Sequence, residues 1–181
     1  MLVLGIVGWS GSGKTSLIEA LIQQFRQTGL RVNVIKHSHH DVTLEPAHKD
    51  SARFRRSGAN EVLLASPFRY ALIHELAGQD EPSLAGMLDR LSPADLCLVE
   101  GYKWADIAKI EVYRPSVEKR PLYLETQTTP ILAVASDVPR MPDCPAQIAW
   151  LDLNQSSEVG RWIAENLIHP QVQEKASDKE L

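Results

Sequence analysis

The sequence predicts a three-layer α/β sandwich around a mostly parallel sheet, with one antiparallel hairpin inserted. Three observations predict it. Short apolar runs at 2–7 (LVLGIV), 95–100 (DLCLVE) and 130–136 (PILAVAS) read as strands buried on both faces. Segments of helical period alternate with them, the pattern of parallel strands joined by crossovers. The runs EVLLA and YALIHE, separated only by SPFR, read as a hairpin.

In chain order, the first strand (2–7) ends at Gly8. Leu17, Leu21 and Phe25 then recur four apart on a helix that Gly29 closes. RVNVIK (31–36) is a second strand, expected beside the first, and KHSHHD is the loop at its C-terminal end. A helix over roughly 48–57 ends at Gly58, and the hairpin follows. EPSLAGMLDRL (81–91) reads as a helix with Pro82 in its first turn. After the strand at 95–100, AKIEVYR (108–114) alternates as a strand with one wet face would. IAWLDL is a short strand beyond 130–136, and EVGRWIAENLI (158–168) a last amphipathic helix. HPQVQEKASDKEL is polar and aperiodic, so residues 1–168 are expected to form one nucleotide-binding domain and 169–181 a disordered tail.

The chain of 181 residues suffices for a buried core without staples, and its 44% hydrophobic and 23% charged residues are ordinary for a globular protein. A net charge of −4 gives no footprint for nucleic acid or an anionic membrane. The cluster Arg53, Arg55 and Arg56 reads either as a solvated helix face or as a local phosphate contact. Cys97 and Cys144 have no framework spacing, which fits a reducing compartment. The opening MLVLGIVGWSG has neither a basic leader nor the length of a span, so a cytoplasmic protein is expected.

GWSGSGKT, Gly8 to Thr15, matches G-x-x-x-x-G-K-[ST] in full, with an apolar strand before it and an amphipathic helix after it. This is a P-loop. A triphosphate carries several negative charges, so the loop must wrap it in backbone N–H groups, and glycines allow that close approach. The phosphates meet Gly8, Trp9, Ser10, Gly11, Ser12, Gly13, Lys14, Thr15 and Ser16, at the positive end of the helix dipole. Lys14 is expected at the β- and γ-phosphates and the Thr15 hydroxyl on Mg²⁺.

A second carboxylate is needed on the Mg²⁺ side. Glu100 ends a buried run, and Gly101 lets the chain turn there. Asp50, opening a helix, is a weaker candidate that could equally complement the helix dipole. Guanine presents a ring N–H and an exocyclic amine that one carboxylate can accept together. Asp137, just after a late strand, has the position for that role although the N-K-x-D sequence is absent; Asp152 is the next candidate.

In KHSHHD, alternate side chains share a face, so His37 and His39 point one way and His40 the other. That does not converge three imidazoles on one tetrahedral metal. The segment reads as a switch at the strand C-terminal edge, where ligands of α/β sheets bind. Lys36 or a histidine would face phosphate or substrate, and Asp41 the Mg²⁺ or water side. The plainer alternative is a loop whose imidazoles satisfy local carbonyls.

The segments WSGSGKTSL, VIKHSHHD, KDS, LVEGYK, AKIEV and AVASDVP, in this order, resemble the MobB family of molybdopterin-guanine dinucleotide biosynthesis accessory proteins. The resemblance covers roughly residues 2 to 168. It implies a GTP-binding protein with slow Mg²⁺-dependent GTPase activity, for which Lys14, Asp41 and Glu100 are the catalytic candidates and Lys103 joins the switch. It also implies a homodimer joined through the hairpin and work beside a MobA-type guanylyltransferase in molybdenum cofactor biosynthesis; whether molybdopterin itself binds is left open. Related dimeric P-loop ATPases often carry a lysine just after the first glycine, reaching the partner's nucleotide; here that place is Trp9. A small-molecule kinase and a metallochaperone-type GTPase, with KHSHHD as the delivery loop, are the competing readings.

Overall fold

The structure is a computed structural model and describes residues 1–38, 40–125 and 130–170. The expected tail beyond residue 170, and His39, lie outside the described residues. The chain divides into two compact units, one made of Met1–His37 with Leu88–Leu181, the other of Ser38–Met87.

The first unit is built on a parallel six-stranded sheet. Its strands are β1 (Leu2–Val7), β2 (Val32–Lys36), β5 (Leu96–Glu100), β6 (Lys109–Tyr113), β7 (Ile131–Ser136) and β8 (Ala149–Asp152), in the order β2-β5-β1-β6-β7-β8. The expectation that β2 adjoins β1 is corrected: β5 lies between them, pairing Leu4 of β1 with Leu98 and Val34 of β2 with the same residue. Sequence order cannot reveal this insertion, because β5 enters from 60 residues further along the chain.

Side chains alternate across the sheet and feed two cores. On one face, Leu4, Ile6, Leu98, Ile110 and Val112 pack with Leu17, Leu21 and Phe25 of α1 (Lys14–Gln27) and Val159 and Ile163 of α4 (Ser156–Ile163). On the other, Val7, Tyr113 and Val134 meet Leu122, Tyr123, Cys144 and Ile148. The two helices approach closely at Gly160, where a Cβ would come within 2.1 Å of the Gln24 Oε1.

This double cover corrects the expected wet face of 108–114. All five β6 residues are buried, Lys109 and Glu111 among them. The polar alternation marks charges that the sheet encloses, not a solvated surface. Glu111 accepts the Leu122 N–H at 2.6 Å and the Tyr123 N–H at 3.0 Å, so it pins the 3₁₀ turn Leu122–Leu124 to the sheet. Burial outweighs these two donors and lifts its pKa from 4.5 to about 7.

The last helix begins at Ser156, two residues earlier than expected, and its α-helical part stops at Ile163; Ala164–Ile168 continue as a π-helical turn. The helix expected over 81–91 shrinks to α3 (Leu84–Leu88). Ser83, not Pro82, opens it, its hydroxyl accepting the Gly86 N–H at 3.1 Å.

The second unit holds α2 (Asp50–Arg56) and an antiparallel sheet of β3 (Glu61–Ala65) and β4 (Tyr70–His74), the hairpin the sequence predicts. Arg55 ties its parts together, donating to Glu45 at 3.3 Å and Glu75 at 2.7 Å, so this arginine of the basic cluster is engaged within the protein. Among the described residues no helix is long and apolar enough to cross a membrane.

Candidate nucleotide site

β1 delivers the chain into the Gly8–Thr15 loop at the C-terminal edge of the sheet. Gly8 has φ +147°, and a Cβ there would stand 2.4 Å from the Val112 carbonyl oxygen of β6. Only glycine lets the loop leave the sheet so close to its neighbour. The loop turns with the Ser12 N–H donating to the Trp9 carbonyl at 3.2 Å, and α1 then begins at Lys14.

The Lys14 ammonium donates to the Trp9 carbonyl at 2.9 Å, inside the curve of the loop. Its pKa is lowered, first by burial; Glu100 opposes the shift, while Lys103 and Lys36 add to it. The Trp9 indole is a shelf at the rim. Its Nε1 donates to the Arg120 carbonyl at 2.8 Å, and the Lys103 ammonium stands 4.0 Å from a ring centroid. Lys119 approaches the same indole at 5.9 Å.

Glu100 comes to this loop because β5 pairs with both β1 and β2. The His37 N–H donates to the Glu100 carbonyl at 3.0 Å, and Gly101 N–H to the Ile6 carbonyl at 3.4 Å. One carboxylate oxygen then accepts the Thr15 hydroxyl at 3.3 Å, and the other faces the Lys36 ammonium at 3.4 Å. Beyond it, Gly101 at φ +94° and Tyr102 at φ 47° form a sharp turn that stacks Tyr102 on His37, with ring centroids 4.3 Å apart. A Cβ on Gly101 would press on the His37 Cβ at 3.1 Å.

Asp137 follows β7 at the same sheet edge. Its Oδ2 accepts from Arg114 Nη1 at 2.6 Å, and its Oδ1 is buried with no hydrogen-bond partner among the described residues. Arg114 also donates through Nε to the Ser12 carbonyl at 3.0 Å. Sequence reading passed over this arginine, although its place just after a strand beside the P-loop strand was the available signal. Asp152 ends β8 and accepts the Asn154 N–H at 2.8 Å and Gln155 at 3.4 Å, a local turn.

The structure thus brings Gly8–Ser16, Lys36, His37, Glu100, Lys103 and Asp137 to the C-terminal edge of one sheet. His40, Asp41 and Asp50 belong to the second unit. There the His40 N–H donates to the Ser38 hydroxyl at 3.2 Å, Asp41 is exposed, and Asp50 opens α2 and pairs with Arg53 at 3.4 Å. Among the described residues, no three His, Cys, Asp or Glu side chains gather as metal ligands would.

The donor set fits a polyphosphate with a hard divalent cation. Ammonium groups and loop N–H groups suit phosphate oxygens, and a hydroxyl beside a carboxylate suits Mg²⁺.

Comparison with known proteins shows what the chain is similar to. The profile of the family "MobB: Molybdopterin guanine dinucleotide synthesis protein B" matches residues 3–137. The chain is 38% identical over 165 residues to the molybdopterin-guanine dinucleotide biosynthesis adapter protein of Escherichia coli (strain K12), covering 90% of this chain and 91% of that protein. It is also 38% identical over 168 residues to the adapter protein of Haemophilus influenzae, covering 92% and 89%. A crystal structure of molybdopterin-guanine biosynthesis protein B superposes with a TM-score of 0.69 at 32% identity, over 91% of this chain and 97% of that one.

Proposed function

The chain belongs to the MobB family, and from that premise we propose that it is a GTP-binding adapter, with slow Mg²⁺-dependent GTPase activity, in molybdopterin guanine dinucleotide formation. The observation that carries the nucleotide reading is the meeting of Thr15 and Glu100 at 3.3 Å beside the Lys14 loop. Two segments 85 residues apart converge on the pair of oxygens that a phosphate-bound cation requires.

In this reading the loop N–H groups and Lys14 hold the β- and γ-phosphates, and Thr15 and Glu100 hold Mg²⁺. The bound cation neutralises phosphate charge. Lys36, now on Glu100, and Lys103, over Trp9, stand near enough to exchange these contacts for phosphate or substrate. Asp137 accepts the guanine edge, with its buried Oδ1 as the oxygen in want of a donor. The partner is a MobA-type guanylyltransferase, the cellular place is the cytoplasm, and two copies join through the hairpin, where Leu63, Phe68, Tyr70 and Leu72 are exposed.

Titration with GTP and ATP, each with and without Mg²⁺, tests the reading. GTP binds more tightly than ATP, because a buried acceptor rejects a base that cannot donate to it. Asp137→Asn lowers GTP affinity and admits xanthosine triphosphate. Unchanged selectivity in that variant would move base recognition to another residue.

A further inference from the structure

We infer that Arg114 is a positioning residue that sets one peptide of the phosphate loop and couples it to Asp137, so that the base end and the phosphate end of the site act as one unit. The inference rests on the nucleotide reading above and extends it to a residue outside the P-loop motif.

The loop needs an external restraint. Gly11 and Gly13 flank Ser12 with φ of +82° and +99°, and glycine moves among backbone regions at little cost. The peptide joining Ser12 to Gly13 therefore has freedom to turn over. The Ser12 hydroxyl does not hold it, since that oxygen is buried without a hydrogen-bond partner among the described residues. Arg114 does, donating to the Ser12 carbonyl at 3.0 Å.

A trans peptide is planar, with its C=O and N–H pointing in opposite directions. Fixing the Ser12 carbonyl on Arg114 turns the Gly13 N–H to the other side, as an anion cradle requires. The guanidinium is in turn held by Asp137 at 2.6 Å. Its planar fork offers donors in fixed directions, so one arginine serves both acceptors at once, which a lysine ammonium on a flexible stem does poorly. Both side chains are only partly exposed, 32% for Arg114 and 25% for Asp137, so neither charge is easily satisfied by water alone.

Coupling predicts that Asp137, which sits at the base end, affects a ligand that has no base. Inorganic tripolyphosphate is that ligand. Its affinity would be measured calorimetrically for the parent, Lys14→Ala, Arg114→Ala, Arg114→Lys, Asp137→Ala and the Arg114→Ala/Asp137→Ala double variant. All would be held well below their melting temperatures, with folding checked by circular dichroism.

We expect Arg114→Ala and Asp137→Ala each to weaken tripolyphosphate about tenfold, the size of one lost charge-assisted hydrogen bond. The double variant should be no weaker than the worse single one, and Arg114→Lys should recover part of the loss. Parent-like binding by Asp137→Ala, or losses that add in the double variant, would overturn the coupling while Lys14→Ala still abolishes binding. Parent-like binding by Lys14→Ala would instead remove the phosphate-loop reading, and this inference with it.

Discussion

In the parallel sheet, Leu96, Leu98 and Val99 of β5 are closed to solvent, whereas in the hairpin Leu63, Tyr70 and Leu72 are 57–74% exposed. Both sheets are built from the same apolar and β-branched residue types. The central strands β1, β6 and β7 are covered on two faces, by α1 and α4 on one side and by Leu122, Tyr123, Cys144 and Ile148 on the other. The hairpin buries one face only. Val62 and Ile73, paired across it, are each 8% exposed, while the neighbouring pair Leu63 and Leu72 point the other way into solvent. A strand pair with an apolar outer face is a surface made to be covered, while a completed sheet can devote its C-terminal edge to chemistry.

The sharpest test of that division is Lys14→Ala. It removes the ammonium that lies inside the curve of the Gly8–Thr15 loop and should cost about 2–5 kcal/mol of triphosphate affinity by calorimetry, while the melting temperature stays put. A variant that bound GTP within about twofold of the parent would place the chemistry elsewhere than this sheet edge.

The hairpin half of the comparison is tested by Leu63→Lys with Leu72→Glu. The two positions face each other across the strands, so opposite charges keep the hairpin paired. Analytical ultracentrifugation should show self-association weakened by roughly a hundredfold, as expected when charges replace two central apolar anchors. GTP affinity should hold in the separated chains. Unchanged association would mean that the exposed face serves another partner.

A smaller effect is expected at Glu100. Replacing it by Gln keeps the Thr15 contact but removes the charge that would balance a cation, so Mg²⁺-dependent GTP affinity should fall about tenfold. Binding in EDTA should change little. Equal losses with and without Mg²⁺ would make Glu100 a structural residue of the β5 end.

A last test concerns the buried side of the parallel sheet. Glu111 titrates at about 7 when folded and at 4.5 in the reference state. Between those values the unfolded carboxyl has lost its proton and the folded one keeps it, so stability falls as pH rises from about 4.5 to about 7 and stays lowered above. Denaturant unfolding at pH 5, 6 and 7 should show that slope, by at most about 1.4 kcal/mol per pH unit, in the parent and not in Glu111→Gln. The Gln variant should be weaker at pH 5, because its single oxygen serves only one of the Leu122 and Tyr123 N–H groups. Matching slopes would show that Glu111 does not titrate in this range.

The sequence by itself determined what is local. A strand, a glycine loop, Lys14-Thr15 and a helix form one contiguous motif whose spacing the phosphate chemistry dictates, and Glu100 was legible as the polar end of an apolar run. The hairpin was legible too, because a four-residue connection leaves two strands no choice but to pair. Tertiary structure decided what depends on which strand lies beside which. It inserted β5 between β1 and β2, and so set Lys36 on Glu100. It closed both faces over β6, turning an apparently wet alternation into a buried Lys109 and Glu111. It also joined Ser12, Arg114 and Asp137, which stand 102 and 23 residues apart in the chain. The physical reason is that periodicity reports which face a side chain takes along its own strand, whereas partners across a sheet are fixed by pairing order, which no single segment carries.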